Sequence, residues 1–257
     1  MIRTPGKGIV YGEVWFDEEP DAPLPDVLIC RQRSRPWPAA KCEDFHTLLL
    51  DLTLDEDTLF NAFGKDNRYK IRRAATKDGG VSAFLEQPSE ALDDFCAFYD
   101  LFAAAKGVGR VYRAWLDEAA RDGKLILTHA AQGEHCVGIH VWHAYVVSGG
   151  RARLLYSASQ FRTQDKVMQA MIGRLNRWLH WQDILEFKHR GLRLYDFGGL
   201  FSDESSAVAA GINRFKEEFG GVRSLNYDCT AALTWKGRLY LTLLNLRNRI
   251  RKAKELR

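Results

Sequence analysis

The sequence predicts a mixed α/β domain of α+β character, in which a run of antiparallel strands is flanked by strand–helix–strand units. Three observations carry this prediction. Residues 124–132, 136–147 and 151–157 read as successive strands, separated by the turn signals Gln132-Gly133-Glu134 and Ser148-Gly149-Gly150. A long amphipathic helix over 166–188 follows, its apolar face made by Val167, Met171, Leu175, Trp178, Leu179 and Leu185. Directly behind it, 192–197 is a short buried strand.

Taken in order, 10–16 and 27–31 read as strands joined by an acidic, proline-containing loop over 17–25. Prolines 36 and 38 forbid a helix over 34–38 and restrain the residues before them. Residues 47–52 form an apolar strand. Thr53 then leads into Asp55, Glu56 and Asp57, carboxylates suited to the positive end of a helix. That helix takes in Leu59, Phe60 and Phe63, breaks near Gly64, and continues through Tyr69, Ile71 and Ala74. Residues 81–86 return as a strand, and 89–106 and 111–120 are helices, the first with Leu92, Phe95, Phe98, Tyr99 and Phe102 on one face. After the central strands, 206–218 is a short helix, 222–233 a last strand and 239–256 a terminal helix. No internal repeat and no low-complexity tract interrupts the chain, and the simplest division is an N-terminal extension (1–45) on one domain (46–257).

At 257 residues the chain can bury a full core without metal or disulfide. Its net charge of +4 is too mild to require nucleic acid as a partner and favours anionic partners over cationic ones. The five cysteines, Cys30, Cys42, Cys96, Cys136 and Cys229, are odd in number, scattered, and lack a C-x-x-C pair. They read as buried thiols in a reducing compartment rather than a disulfide framework or zinc site. The stretch 1–7 lacks the apolar core of a secretory signal, and no run reaches the ~20 apolar residues of a membrane span. The expected location is the cytoplasm, with peripheral contact at a membrane surface left open.

Two glycine-bearing strings carry the chemistry: Tyr195-Asp196-Phe197-Gly198-Gly199, and Gly211-Ile212-Asn213-Arg214-Phe215-Lys216-Glu217-Glu218-Phe219-Gly220-Gly221. Upstream stand a basic element, Arg68-Tyr69-Lys70-Ile71-Arg72-Arg73-Ala74, and a small-residue strand end, Tyr156-Ser157-Ala158-Ser159. With these motifs, residues 50–221, about two-thirds of the chain, resemble FemAB-like proteins of the GNAT superfamily. The resemblance implies a GNAT-like fold and transfer of an acyl or aminoacyl group to an amine on a cell-envelope precursor. Relatives take amino acids from aminoacyl-tRNA to peptidoglycan precursor peptides; others act in polysaccharide or natural-product pathways, some with acyl-CoA. The implied donor is therefore aminoacyl-tRNA or acyl-CoA, with no permanently bound cofactor. The implied acceptor is a small molecule or a glycan or peptide precursor, and charged tRNA is the macromolecular partner. Peptidoglycan-bridge enzymes of this family usually carry two such domains; this chain has room for one.

Acyl transfer to an amine requires a neutral nucleophile, a stabilised oxyanion and a proton for the leaving group. Lys216, next to Phe215, can direct an ammonium at the oxyanion or at a donor phosphate, or it can be a solvated helix lysine. Asp196, at a strand end, can orient or deprotonate the amine, or it can cap backbone N–H groups beside Gly198 and Gly199. Gly198 and Gly199, like Gly220 and Gly221, point to positive φ or close backbone approach. Arg68, Arg72 and Arg73 can grip a phosphate or carboxylate, or form a solvated helix face. Tyr156 and Ser157 can donate hydrogen bonds in a cleft. The segment before the long helix, 159–166, lacks the glycines with which acetyl-CoA-using relatives hold a pyrophosphate, although Arg162 and Lys166 are suited to phosphate. His140 and His143 fall on opposite faces of a strand and cannot easily share a metal, so no metal is expected. From Lys236 onward eight basic residues stand against Glu255 alone, with Leu243, Leu246 and Ile250 at helical spacing. This helix suits an anionic membrane surface, a tRNA backbone, or simple docking with its basic face outward.

Overall fold

A computed structural model describes residues 1–6, 8–38, 40–85, 90–132, 139–160 and 165–255. The chain divides into two compact units: Met1–Phe45 with Leu225–Arg257, and His46–Ser224.

The larger unit holds the sheet predicted from the central strands. Its strand order is β4 (Lys41–Asp51), β9 (Leu194–Gly199), β8 (Arg151–Ser159), β7 (His140–Ser148), β6 (Leu125–Gln132) and β5 (Gly80–Leu85). Strands β5 to β8 are antiparallel neighbours, whereas β8 and β9 run parallel, so the sheet is mixed. A parallel pair needs a crossover, and the 24-residue helix α5 (Lys166–His189) supplies it. Helices α1 (Glu56–Ala62) and α2 (Lys65–Thr76) follow β4 and meet at Gly64, where the sequence placed a break. Asp55 caps α1 by accepting from the Thr58 N–H at 2.8 Å. Helices α3 (Leu92–Lys106) and α4 (Arg113–Arg121) precede β6, and α6 (Ala207–Glu217) follows β9.

Alternation along β7 explains how both faces of this sheet are covered. Trp142 turns to the α3 side, near Phe95, and its neighbour His143 turns to the α5 side, against Asp183. On the α5 side the core runs through Ile172, Leu175, Leu179, Phe187, Tyr145, Tyr195 and Phe197, all nearly inaccessible to water. Phe219, at the end of α6, joins this core against Phe63, Phe197 and His180.

The smaller unit orders its strands β1 (Ile2–Pro5), β2 (Val10–Trp15), β3 (Val27–Arg33) and β10 (Val222–Ala232), with helix α7 (Trp235–Glu255) after them. β1 was not expected from the sequence; it pairs antiparallel with β2. β4 begins six residues earlier than expected, because 41–46 is mostly polar, with only Cys42 and Phe45 apolar. The reading of the cysteines as unpaired thiols is corrected here: Cys42 and Cys229 form a disulfide across 187 residues. That separation hides the pair from spacing rules; strand placement alone brings the two together. Cys30 is the register partner of Cys229 and stays a buried thiol, its pKa pushed up to about 12 by burial. Cys136 and the turn at 133–134 lie outside the described residues. Among the described residues no helix is long and apolar enough to cross a membrane.

The paired glycines after α6 have different neighbours but one conformation. Gly220 and Gly221 have φ of +72° and +94°, and a Cβ on Gly221 would stand 2.7 Å from the Leu49 carbonyl oxygen. Substitution there combines strain with a backbone clash. Gly221→Ala is expected to lower unfolding free energy by about 2–4 kcal/mol, measured by urea denaturation.

Candidate active site

Strands β8 and β9 pair only over Arg151–Arg153 and Leu194–Asp196. Among the described residues no further ladder joins them, and each strand continues to its own end, Ser159 and Gly199. The ladder ends two residues before Gly198. The φ of Gly198 is +74°, and a Cβ there would lie 2.9 Å from the Leu154 carbonyl oxygen, so only glycine passes β8 this closely. β9 instead leans on β4, with Thr47 opposite Gly199, and the Leu200 N–H donates to the His46 carbonyl at 2.7 Å.

Charged groups collect where the strands part. Asp196 is fully buried, and Arg151 donates to its Oδ2 from Nε at 3.0 Å and from Nη2 at 2.6 Å. Its Oδ1 accepts from the Gly198 N–H at 2.7 Å and from the Thr47 hydroxyl. Asp196 thus has the backbone-capping arrangement, and it also pairs with a buried guanidinium. Lys216, in the last turn of α6, donates from Nζ to the Gly199 carbonyl at 2.6 Å. Burial pulls its pKa down to about 8; Arg153 pushes in the same direction and Asp196 opposes it. Lys216, Asp196, Gly198 and Gly199, from two separate sequence strings, therefore meet at one point.

Helix α6 is held in place by its neighbours. Ser206 caps its start, accepting from the Ala209 N–H at 3.1 Å. The Glu218 carbonyl after it accepts from the Gly64 N–H at 2.9 Å and from Asn67 Nδ2 at 3.0 Å. The Glu218 carboxylate pairs with Arg177 at 2.8 Å, and the same guanidinium lies 4.5 Å from the centre of the Phe215 ring. Phe215 packs on His180 and Phe219, which fixes the direction of the adjoining lysine.

The other candidates do not join this cluster. Arg68 donates to the carbonyls of Asn61 and Phe63 at the end of α1. The Arg72 guanidinium lies 5.0 Å from the Phe60 ring centre, beside a cavity of about 260 Å³ lined also by Glu56, Trp178 and Trp181. Arg73 meets Tyr69 Oη at 3.2 Å and Asp78 at 3.9 Å. The three arginines thus serve three different neighbourhoods. Tyr156 packs edge-on against Tyr99 on the α3 side, and Ser157 is the register partner of His143. Arg162 lies outside the described residues.

Sequence reasoning did not find Arg151, Arg153 or Thr47, nor a polar network inside the larger unit. In that network Asp183 Oδ2 accepts from Tyr145 at 2.6 Å and Thr128 at 3.1 Å, with His143 Nδ1 at 2.8 Å. Tyr145 Oη meets Tyr195 Oη at 2.7 Å, and Tyr195 Oη meets His180 Nδ1 at 2.7 Å. Burial raises both tyrosine pKa values and lowers that of His180, so these groups stay neutral. His143, His180 and Asp183 bring ligand-type atoms within 4.8 Å of one another, yet hydrogen bonds already join them through the tyrosines. His140 turns to the opposite face, its Nδ1 2.9 Å from His129 Nε2.

No protein-family model matches the chain, and no curated protein matches it in sequence. Solved structures do. FemX is similar with a TM-score of 0.58 and 16% identity, over 71% of this chain and 61% of FemX. The C-terminal domain of a protein described as a lysylphosphatidylglycerol synthetase from Agrobacterium fabrum gives a TM-score of 0.50 at 13% identity, over 84% of this chain and 70% of that one. L-PGS from Bacillus licheniformis gives 0.50 at 14% identity, over 81% and 68%. The chain thus spans about 61% of the length of FemX. The chain shares the mixed α/β fold of FemX.

The position of Lys216 sets a sign for pH. Its pKa in the fold, about 8, lies below the unfolded value of roughly 10.4. Between those values the unfolded chain binds more protons, so the contribution of Lys216 is complete above about pH 10.4 and is lost as pH falls through about 8. Compared with Lys216→Met, the parent chain is expected to gain stability from pH 8 to 10, read by urea denaturation across that range.

Proposed function

We propose that the chain is an acyltransferase that moves an acyl or aminoacyl group onto an amine of a cell-envelope, polysaccharide or secondary-metabolite precursor, with aminoacyl-tRNA as donor. The observation that carries this reading is the Lys216 ammonium beyond the ladder of two parallel strands, held on the Gly199 carbonyl by a helix anchored to α2 and α5.

In this reading the acceptor amine attacks the donor carbonyl directly. A C–N bond forms, and negative charge develops on the carbonyl oxygen, where the Lys216 ammonium stabilises it. The ester C–O bond then breaks, and the leaving hydroxyl takes up the proton that the amine gives up. Asp196 acts as a positioning residue. Committed to Arg151, Thr47 and the Gly198 N–H, its carboxylate fixes the strand end that carries Gly199. Phe215 orients the lysine by packing.

The start of α5 supports the choice of donor. A pyrophosphate at a helix N-terminus needs unoccupied N–H groups and no negative charge nearby. Here the Asp165 carboxylate occupies that position and accepts from the Met168 N–H at 2.8 Å. With no glycine in 159–166, this end of the helix favours a donor held elsewhere.

A thermal-shift titration with acetyl-CoA, longer acyl-CoAs, free CoA and charged tRNA tests the donor. A ligand at about a hundred times its Kd stabilises the fold by roughly 2.7 kcal/mol, a clear rise in Tm. A shift with charged tRNA and none with CoA is expected. A CoA-dependent shift would instead make the chain an acyl-CoA-dependent N-acyltransferase, with an amino sugar as the leading acceptor. A folded chain that transfers from no donor would be a binding module.

Lys216→Ala is expected to lower kcat about 100-fold or more with folding retained, as for loss of one oxyanion donor. Because the ammonium is the active form, kcat should fall as pH rises through about 8. An increase over that range would assign Lys216 as a base.

A further inference from the structure

We propose that the outward face of α7 is a binding surface for anionic lipid bilayers, on which this helix lies flat. The first turns of helix α7 are seated on their own unit by one side, and residues 242–250 are exposed all round. Thr234 takes its N-cap place: the Thr234 hydroxyl accepts from the Gly237 N–H at 3.2 Å and donates to Asp26 at 2.5 Å. Gly237 is buried, and a Cβ on it would fall 2.0 Å from the Asp26 carbonyl oxygen, which marks the seated side. Tyr240 continues that side, edge-on to Tyr11.

The opposite side is apolar and uncovered. Trp235, Leu239, Leu243, Leu246 and Ile250 are between 51% and 71% exposed. At about 100° per residue these five fall within a sector of roughly 80°, centred about 160° from Gly237. Lys236 and Arg247 flank the sector on one edge, and Arg238 and Arg249 on the other. No acidic residue occurs from Trp235 to Ile250.

This arrangement selects among occupants. A second copy placed stripe against stripe would set four unopposed cations against four more, which costs energy at every flank. A nucleic acid would use the cations but leave the five apolar side chains in water. An anionic bilayer satisfies both features: the apolar stripe enters the headgroup boundary, with Trp235 suited to that interface, while the cations meet lipid phosphates. Because its first turns stay on the protein and its polar positions lie opposite the stripe, the helix lies on the membrane rather than across it.

Co-sedimentation of the full chain with vesicles tests this. The chain is expected to bind phosphatidylcholine vesicles containing about a third phosphatidylglycerol at least tenfold more tightly than pure phosphatidylcholine, with the difference shrinking in high salt. Leu243→Ser with Leu246→Ser should weaken that binding about tenfold or more with an unchanged Tm. Arg247→Ser with Arg249→Ser should weaken it on anionic vesicles only. The proposal is overturned by equal binding to neutral vesicles, by binding that ignores the leucine pair, by no binding of the folded chain, or by a dimer that the leucine pair abolishes.

Discussion

The buried carboxylate of Asp196 is the interaction on which the candidate site depends. It joins three strands of the larger unit: its own β9, β8 through Arg151 and β4 through Thr47. The pair it makes with Arg151 is nearly inaccessible, and removing one partner of such a pair typically costs about 3–5 kcal/mol, since a buried charge is left behind. The same carboxylate bends the chain back at Gly198, where a side chain would strike the Leu154 carbonyl. The β8–β9 ladder ends two residues before this bend, and the Gly199 carbonyl is presented to Lys216 just after it.

The lysine gains its character from that setting. A helix lysine in water is a fully charged point of no chemical interest. Here burial and Arg153 draw its pKa down toward about 8, and Asp196 limits the fall, so the ammonium is retained at neutral pH while its solvent shell is reduced. In the proposed transfer, an ammonium so placed is worth more to a developing oxyanion than one in water, because it is pre-oriented and less screened. Phe215 and the Arg177–Glu218 pair supply the orientation.

The network from Asn176 through His143, Asp183, Tyr145 and Tyr195 to His180 gives the larger unit a second kind of order. Apolar residues bury area without specifying an arrangement, whereas a closed set of hydrogen bonds in low dielectric tolerates few alternatives. It ties the middle of α5, through Asn176, His180 and Asp183, to the centre of the sheet. His180 then touches Phe215 and Phe219 with its ring, which brings that order to the base of α6.

The sequence by itself determined the mixed sheet, the crossover helix and the two glycine-bearing strings. Local chemistry governs these: period-2 and period-3.6 patterns, turn residues, and glycines whose role is set by their own backbone. It also placed Lys216, Asp196, Gly198 and Gly199 among the candidates. Tertiary structure alone decided what each one touches. Arg151 and Thr47 carry no local signal, because a buried arginine at a strand start looks like a solvated one until its carboxylate is placed beside it. Arg68 and Arg72 share a face of α2 and Arg73 lies about 100° round from Arg72, yet each guanidinium takes a different acceptor or ring. Cys42 and Cys229 are paired by strand placement across 187 residues, a distance over which no spacing rule operates. The exposed stripe on α7 was half legible. Helical spacing named Leu243, Leu246 and Ile250, but only the structure showed Trp235 and Leu239 opposite the seated Gly237 and in line with them.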